Sequence, residues 1–433
     1  MKMLVLGAGL QGCACAFDLL QDAEVTSVTL ADLQPERAAR FLTKLDDPRL
    51  HLVTLDVTDH EAVRAVMQGQ DAVLSAIPYY FNGPMAKLAV ESGCHFADLG
   101  GNTEIVMEQK KLEAEAHAKG LSVMPDCGLA PGMVNILAAE GIRRLDRTDR
   151  VRIYVGGLPQ HPEPPLNYQI VYSLEGALDY YTTPSWILRD GKSTTIEALS
   201  ELEPVVFNEP IGTLEAFHTA GGLSTMAFSF EGKVREMEYK TLRYPGHATL
   251  MKAIRELGLL DNTPIKVKGK DVVPRDAFIA AVTPKLTKPN GRDLVALRVV
   301  VSGEKNGEPH TTTFDLVDYF DEVHHISAMM RCTGYSLSLT GLTQVRHQVI
   351  RAGVTTPDEG MPYDRYVKRA RCPRGRDYRA LIEKREARSV VWRGDPNAGP
   401  RFSLLASRFS LLASTSSTHS RHTTASRRSP SPR

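Results

Sequence analysis

The segment Lys2–Gly12, KMLVLGAGLQG, places an apolar run directly before the glycine pattern GxGxxG. The run up to Leu6 has the composition of a buried strand, and the residues after the loop have helical spacing. In this context Gly7 permits a tight turn, Gly9 lets the backbone approach a pyrophosphate, and Gly12 lets the helix pack closely on the strand. The segment therefore predicts a Rossmann-type dinucleotide-binding domain.

Strand and helix patterns alternate through the residues that follow. β-Branched runs predict strands at 2–6, 27–31, 51–55, 72–76, 95–99 and 121–124. This order is typical of a doubly wound parallel sheet, so the predicted fold class is α/β. From 151 to about 320 the strand patterns alternate apolar and polar residues, and the loops between them are longer. This predicts a second, α+β domain with an antiparallel sheet. Residues 328–352 have helical spacing again.

The predicted cofactor is NAD. Asp32 closes the second strand, 20 residues after Gly12, where a carboxylate would accept hydrogen bonds from the ribose diol and repel a 2′-phosphate. Arg37, one turn into the next helix, is the residue that could reach such a phosphate. The ends of the fourth and fifth strands face the nicotinamide side or form ordinary turns. The candidate cofactor-binding residues are Gly7, Gly9, Leu10, Gln11, Gly12, Asp32, Ser75, Ala76, Pro78, Asp98, Gly100 and Gly101.

Composition excludes several classes of protein. The formal net charge is +1, but residues 371–433 carry a net +10 and residues 1–370 a net −9. The basic part contains ten serines between 403 and 431 and the repeat RFSLLAS at 401–407 and 408–414, which predicts a disordered tail and not a nucleic-acid arm. The six cysteines lack zinc-ligand spacing. Without a long apolar run or signal peptide, we expect a cytoplasmic protein that binds neither metal nor membrane.

Several longer motifs carry a resemblance to a known family. They are DCGLAPGMVN at 126–135, EPPLNY at 163–168, SLEG at 173–176, EAFHT at 215–219 and EYKTLRYPGH at 238–247. With the glycine loop and Asp98–Gly101, they resemble the saccharopine dehydrogenase-like superfamily, and within it most closely the lysine 6-dehydrogenase group. The resemblance covers roughly residues 1–370 and stops near Arg371.

The resemblance implies an architecture. The α+β domain is expected to be inserted into the Rossmann domain, to bind substrate and to build a homodimer or a higher oligomer through its sheet. The expected order is a Rossmann NAD-binding domain at 1–130, the α+β domain at 131–325, a helical return to the Rossmann domain at 326–370 and the basic tail at 371–433.

The resemblance also implies an activity. Lysine 6-dehydrogenases oxidise the ε-amine of L-lysine with NAD, giving allysine, which cyclises to piperideine-6-carboxylate. A small-molecule amino-acid substrate needs a carboxylate clamp, for which we choose Arg243, because related enzymes use the arginine of the TLRY segment and a guanidinium matches a carboxylate. A structural ion pair is the alternative role for this arginine.

The amine must lose a proton before hydride leaves, so the site also needs a base. His218 and Asp126 compete for that role: an imidazole titrates near neutral pH, whereas Asp126 ends the last Rossmann strand. His218 could equally be a core group, and Asp126 a helix cap. Lys240 is a proton-transfer group or a salt-bridged lysine. Tyr168 and His247 are further candidates for the substrate pocket.

Two other functions remain open. A saccharopine- or carboxynorspermidine-type reductase would need a larger pocket for two carboxylates, and usually uses NADPH, which Asp32 disfavours. A non-catalytic dinucleotide sensor is the third possibility, but it would have little use for the polar motifs of the second domain.

Overall fold

A computed structural model describes residues 1–369 and 386–388. A seven-stranded parallel sheet, in the order β3-β2-β1-β4-β5-β6-β17, forms its first part. Its strands are β1 (Lys2–Leu6), β2 (Ser27–Asp32), β3 (Leu50–Thr54), β4 (Ala72–Ser75), β5 (His95–Asp98), β6 (Ser122–Met124) and β17 (Gly353–Val354). The strand order reverses between β1 and β4, which is where such sheets bind ligands.

The helices of this part connect the parallel strands. They are α1 (Leu10–Leu20), α2 (Arg40–Thr43), α3 (His60–Met67), α4 (Asn82–Glu91), α5 (Thr103–Lys110) and α6 (Glu113–Ala118). Local capping fixes where some of them begin. The side chain of Asp59 accepts the amides of Glu61 and Ala62 at the start of α3, and Asn102 caps α5 in the same way.

A second, nine-stranded sheet has the path β10-β11-β12-β7-β15-β16-β18, with β8 on β12 and β9 on β8. Its strands are β7 (Arg147–Pro159), β8 (Ser185–Arg189), β9 (Lys192–Ile196), β10 (Glu203–Val206), β11 (Thr213–His218), β12 (Val234–Arg243), β15 (Asp293–Lys305), β16 (Glu308–Tyr319) and β18 (Glu386–Arg388). A separate hairpin contains β13 (Ile265–Val267) and β14 (Lys270–Val272). The sheet is mixed and not purely antiparallel, because the long crossover between β7 and β12 lets them pair in parallel.

The remaining helices pack around this sheet and return to the first one. They are α7 (Met133–Arg143), α8 (Leu174–Thr182), α9 (Met226–Ser229), α10 (His247–Glu256), α11 (Pro274–Leu286), α12 (Ala328–Met330), α13 (Ser336–Val345), α14 (Pro357–Gly360) and α15 (Tyr363–Arg369). Gln344 of α13 donates to the backbone oxygens of Phe96 and Ser122, and β17 pairs with β6. The α/β fold class with a Rossmann-type sheet is confirmed, and the late helix packs on that sheet as the resemblance implies.

The predicted tail, 371–433, falls outside the described residues except for Glu386–Arg388. These three residues differ from the prediction of disorder, since they pair with Thr312–His310 of β16. The edge of β16 offers unpaired backbone groups, which accept a short added strand. Among the helices that the structure describes, none has the length and apolar character needed to cross a bilayer.

Candidate active site

The glycine loop has the geometry that a dinucleotide requires. Gly7 has φ +97°, and a Cβ there would lie 2.8 Å from the Ala76 oxygen. A Cβ on Gly12 would lie 1.8 Å from the Gly7 oxygen, whereas Gly9 borders open space. Helix α1 begins at Leu10 without a side-chain cap, so its first amides are free to bind phosphate. The residues present therefore fit a pyrophosphate.

Asp32 lies at the rim of this loop. One carboxylate oxygen accepts the Ala8 amide at 2.7 Å, and the other accepts the Gln34 amide at 2.9 Å. The side chain remains partly exposed at the end of β2, while Arg37 is exposed in the turn that follows. The carboxylate therefore fastens the loop rim through both of its oxygens and remains partly exposed there.

Two predicted cofactor contacts also have structural partners. Ser75 donates to the side-chain oxygen of Asn82 at 2.7 Å, which fixes the start of α4. Asp98 is buried and accepts the Gly100 amide, the Asp126 amide and the Gln109 side chain at 2.7, 3.2 and 2.6 Å. Burial raises the pKa of Asp98 to about 6. Both of its oxygens bind protein groups, so Asp98 supports the loop at Gly100–Gly101, while Pro78 precedes the turn Tyr79–Phe81.

A cavity of about 220 Å³ lies between the glycine loop and the second sheet. Gln11 lines it from one side, and Tyr239, Thr241 and Arg243 of β12 line it from the other. The rest of its wall comprises Leu99, Gly100, Gly128, Leu129, Ala130, Pro131, Val155, Gly157, Tyr172, Ser173, Tyr180, Ala220, Met329 and Thr333. Among the described residues of this wall, Arg243 is the one side chain that carries a charge at neutral pH.

Arg243 is 3 % exposed. It donates to the Leu242 oxygen at 2.9 Å, and its Nε has no hydrogen-bond partner. The Tyr168 ring covers the guanidinium at 5.0 Å. Within residues 1–369 and 386–388, no carboxylate forms a salt bridge with Arg243. Burial of an unpaired charge costs on the order of several kcal/mol. The arrangement therefore favours an anionic ligand in the cavity.

Tyr168 and His247 support Arg243 from behind and do not line the cavity. His247 Nδ1 donates to the Leu166 oxygen at 3.0 Å, an assignment that follows from the carbonyl partner, so Nε2 accepts the Tyr181 hydroxyl at 3.1 Å. Burial and the charge of Arg243 lower the pKa of His247 to about 3. The imidazole is therefore neutral, and it orients a tyrosine that hydrogen-bonds with Arg243.

The neutral His247 gives a stability prediction. Its pKa is lower in the folded protein than in the unfolded chain, where it is about 6.5. As the pH falls below that value, the unfolded state binds a proton that the folded state does not, so the free energy of unfolding decreases. We expect His247→Gln to show a smaller decrease between pH 7 and pH 5, measured by urea unfolding. An exposed histidine, His51, provides the control: His51→Gln should leave the slope unchanged.

The structure does not bring His218 and Lys240 to the cavity. On β12 the side chains at 239, 241 and 243 share one face, so Lys240 projects from the other face, and His218 is its cross-strand neighbour on β11. Lys240 binds Glu203 at 2.8 Å, and His218 Nε2 lies 3.1 Å from Glu201. Burial lowers the pKa of His218. These contacts match the core and salt-bridge alternatives for the two residues.

A possible cation cluster lies on that same outer face. Glu201, His218 and Glu238 have ligand atoms within 4.8 Å of one another. Arg189, however, binds Glu201 at 2.6 Å and lies 3.6 Å from Glu238. A guanidinium among the carboxylates disfavours a metal ion, and the cluster is an ion-pair network.

Asp126 lies one layer behind the cavity wall. It is 2 % exposed, and its Oδ1 occupies the position next to Gly100 where a Cβ would be 1.8 Å away. Ser224 donates to its other oxygen. Burial, together with the negative charge of Asp98, raises the pKa of Asp126 to about 8. Of the proton acceptors considered from the sequence, Asp126 is the one adjacent to the cavity.

Sequence reasoning missed the aromatic wall. Tyr172 and Tyr180 come from the segment around α8, and Tyr239 from β12. Glycines make room for them: a Cβ on Gly222 would lie 2.3 Å from the Tyr239 ring, and one on Gly221 3.0 Å from Tyr180. The double glycine at 221–222 and the alternation along β12 are the signals that could have indicated these contacts.

Family models match most of the chain. The model for the saccharopine dehydrogenase NADP binding domain matches residues 3–124, and that for the saccharopine dehydrogenase C-terminal domain matches residues 128–370. The second match alone covers more than half of the chain. The first part of the chain is thus a dinucleotide-binding domain of this type.

Individual curated relatives share less than a third of their residues with this chain over the aligned part. Saccharopine dehydrogenase [NADP(+), L-glutamate-forming] of Saccharomyces cerevisiae is 28 % identical over 255 residues, 56 % of this chain and 55 % of that protein. The mitochondrial alpha-aminoadipic semialdehyde synthase of Mus musculus is 26 % identical over 271 residues, 60 % of this chain and 28 % of that protein. The chain thus spans about half or less of the length of these curated relatives.

Two solved structures share the fold. The apo saccharopine dehydrogenase (L-Glu forming) of S. cerevisiae gives a TM-score of 0.68 at 21 % identity, covering 85 % of this chain and 96 % of that one. The homospermidine synthase of Legionella pneumophila, in complex with NAD, gives 0.60 at 11 % identity, covering 85 % and 88 %.

Proposed function

The chain belongs to the saccharopine dehydrogenase family, and from that premise we propose that it catalyses the NAD-dependent oxidative deamination of the ε-amine of L-lysine. The product is allysine, in equilibrium with piperideine-6-carboxylate. One observation carries this proposal: the buried guanidinium of Arg243, without an acidic partner among the described residues, opens into a cavity beside the dinucleotide loop. A free amino acid supplies the carboxylate that this group needs.

The size and charge of the cavity favour a single amino acid. Its volume of about 220 Å³ is below the range of roughly 300–1,000 Å³ typical of sites for drug-sized ligands. Its wall, as described, contains one charged side chain, Arg243. A conjugate of two amino acids has further carboxylates, and the described part of this wall holds no second guanidinium or ammonium group to bind them.

The rest of the wall suits an amine that has lost its proton. Leu99, Leu129 and Val155 are apolar, and desolvation favours the neutral form of an amine. We propose that Asp126 receives the proton, passed by Tyr180 of the wall or by water, since Asp126 lies directly behind Gly100. Water would release the nitrogen as ammonia, and a bound nicotinamide would supply the hydride acceptor for the ε-carbon. Arg243 holds the carboxylate end so that this carbon faces the glycine loop.

The proposed cofactor is NAD, because a carboxylate at the end of β2 in this type of fold accepts ribose hydroxyls and would repel a 2′-phosphate. The NADP named for the matching domain and for the yeast relative favours the alternative, in which the exposed Arg37 binds that phosphate. We further propose that the protein acts as a homo-oligomer in the cytoplasm, as the resemblance implies.

An amine panel tests the function. With NAD, L-lysine is expected to produce NADH absorbance, and cadaverine far less, because cadaverine lacks the carboxylate that Arg243 binds. The rate should rise above neutral pH, since free lysine must lose an ε-proton with a pKa of about 10.4 and the raised pKa of Asp126 keeps its carboxylate protonated below about pH 8.

The same panel decides between the alternatives. A saccharopine-type reductase is favoured by the names of the relatives; it would oxidise saccharopine with NADP and leave lysine unchanged. A non-catalytic sensor would bind a dinucleotide, detected by calorimetry, and oxidise neither compound. Either result would contradict the lysine proposal.

A further inference from the structure

Asp126 and Ser224 come from separate parts of the chain and meet behind the cavity wall. Asp126 follows β6, and Ser224 lies in the loop between β11 and α9. Ser224 donates to Oδ2 of Asp126, and both side chains are buried. Their φ angles are +65° and +50°, a left-handed conformation that is unfavourable for a residue with a side chain. Two such residues in contact point to a function for the pair.

The loop that carries Ser224 is fastened to the segment after Asp126. The side-chain nitrogen of Asn135 donates to the Gly222 and Leu223 oxygens at 3.3 and 3.2 Å. Its oxygen accepts the Gly132 amide at 2.6 Å. Asn135 therefore fixes the distance between Ser224 and the turn that begins at Asp126.

The other oxygen of Asp126 faces the cavity wall. A Cβ on Gly100 would lie 1.8 Å from Oδ1, and Gly100 lines the cavity. With Oδ2 held by Ser224, Oδ1 stays behind the backbone of Gly100. The Ser224 hydroxyl therefore fixes the orientation of the carboxylate, with Oδ1 on the side of the cavity.

We propose that Ser224 is a positioning residue, whose hydroxyl orients the Asp126 carboxylate and stabilises the ionised form that takes up the proton of the amine. This inference rests on the proposed function. It adds a residue from the loop after β11 to the proton-handling part of the site, which the glycine loop and the parallel sheet alone do not complete.

The charges around Asp126 give the sign of the effect. Asp98 and Asp358 raise its pKa in addition to burial, and the bond from Ser224 and the Gly101 amide lower it. The titratable neighbours Cys127 and Tyr180 are neutral, because burial raises the pKa of both. Loss of the Ser224 hydroxyl should therefore raise the pKa of Asp126 further. The side chain would then be ionised, and able to take up the proton of the amine, only at higher pH.

Two variants separate the hydroxyl from the backbone. Ser224→Gly removes the hydroxyl and relieves the left-handed backbone, whereas Ser224→Ala removes it and keeps the backbone strain. In both, the acid limb of kcat/KM for lysine is expected to move up by about one pH unit, with a rate about tenfold lower below the limb and near normal above it. Ser229→Ala, which removes a nearby hydroxyl that donates to Glu359, should keep the wild-type profile.

A second readout does not depend on activity. When folding raises the pKa of a carboxyl group, the free energy of unfolding of the protein decreases as the pH rises towards and through the folded pKa. Urea unfolding of Ser224→Gly should therefore show a larger decrease in stability between pH 8 and pH 9.5 than the wild type. Unchanged profiles in both assays, or a shift in the alanine variant alone, would overturn the role of the hydroxyl. If the wild type oxidises no amine while the unfolding result holds, the proposed function fails and the pairing of Ser224 with Asp126 stands.

Discussion

Replacement of Arg243 by lysine is expected to lower kcat/KM for L-lysine by about two orders of magnitude. An ammonium cannot form the bidentate fork that a guanidinium forms with a carboxylate. Loss of one partner of a buried, hydrogen-bonded charge pair costs about 2–5 kcal/mol, and each 1.4 kcal/mol is about tenfold in an equilibrium constant. Steady-state kinetics with NAD as cosubstrate measures the effect.

The control for Arg243→Lys is the cofactor. Arg243 lies on β12 and not in the glycine loop, so the affinity for NAD, measured by calorimetry, should change little. Cadaverine has no carboxylate for Arg243 to bind, and it should be an equally poor substrate for both proteins. Normal lysine kinetics in Arg243→Lys would contradict the clamp. Arg275→Lys is the matched control for the substitution itself. In the unmutated protein Arg275 binds Asp179 at 2.6 Å and lies outside the cavity wall.

The parallel sheet could be predicted because its signals are local. The glycine loop lies next to the strand and helix that it connects, and each buried strand is a short continuous apolar run. The parallel pairing of β7 with β12 could not be predicted, because it joins residues about 85 positions apart, such as Val151 and Met237. Nothing near either strand indicates its neighbour.

The site could be predicted where a rule of geometry applies. The prediction did not use one such rule for Lys240. Side chains of a strand alternate between its faces, so Lys240 and Arg243, three residues apart, cannot both face one cavity from a regular strand. That rule separates the clamp from Lys240 without a structure. The roles of Asp98 and Tyr172 could not be derived in this way. The partners of Asp98, Gln109 and Asp126, and the position of Tyr172 in the wall depend on tertiary packing.

The cofactor preference gives the second large expected effect. With the wild type, kcat/KM should be higher for NAD than for NADP, because the Asp32 carboxylate repels the 2′-phosphate. Unit charges 4 Å apart interact by about 1 kcal/mol in water and about 4 kcal/mol near a protein surface. Removal of this charge should therefore shift the ratio of the two kcat/KM values towards NADP by about ten- to a hundredfold.

Asp32→Asn is the variant that tests charge rather than structure. Asp32 also accepts the amides of Ala8 and Gln34, so an alanine would disturb the glycine loop, whereas the amide oxygen of asparagine can still accept one of these bonds. Arg37→Ala in the wild-type background tests the opposite assignment, since it should weaken NADP binding only if Arg37 contacts the phosphate. If the wild type uses NADP as well as NAD and Arg37→Ala abolishes that use, Asp32 does not select the cofactor. If instead Asp32→Asn gains NADP activity while keeping NAD activity, the selectivity of this site comes from one charge at the end of β2.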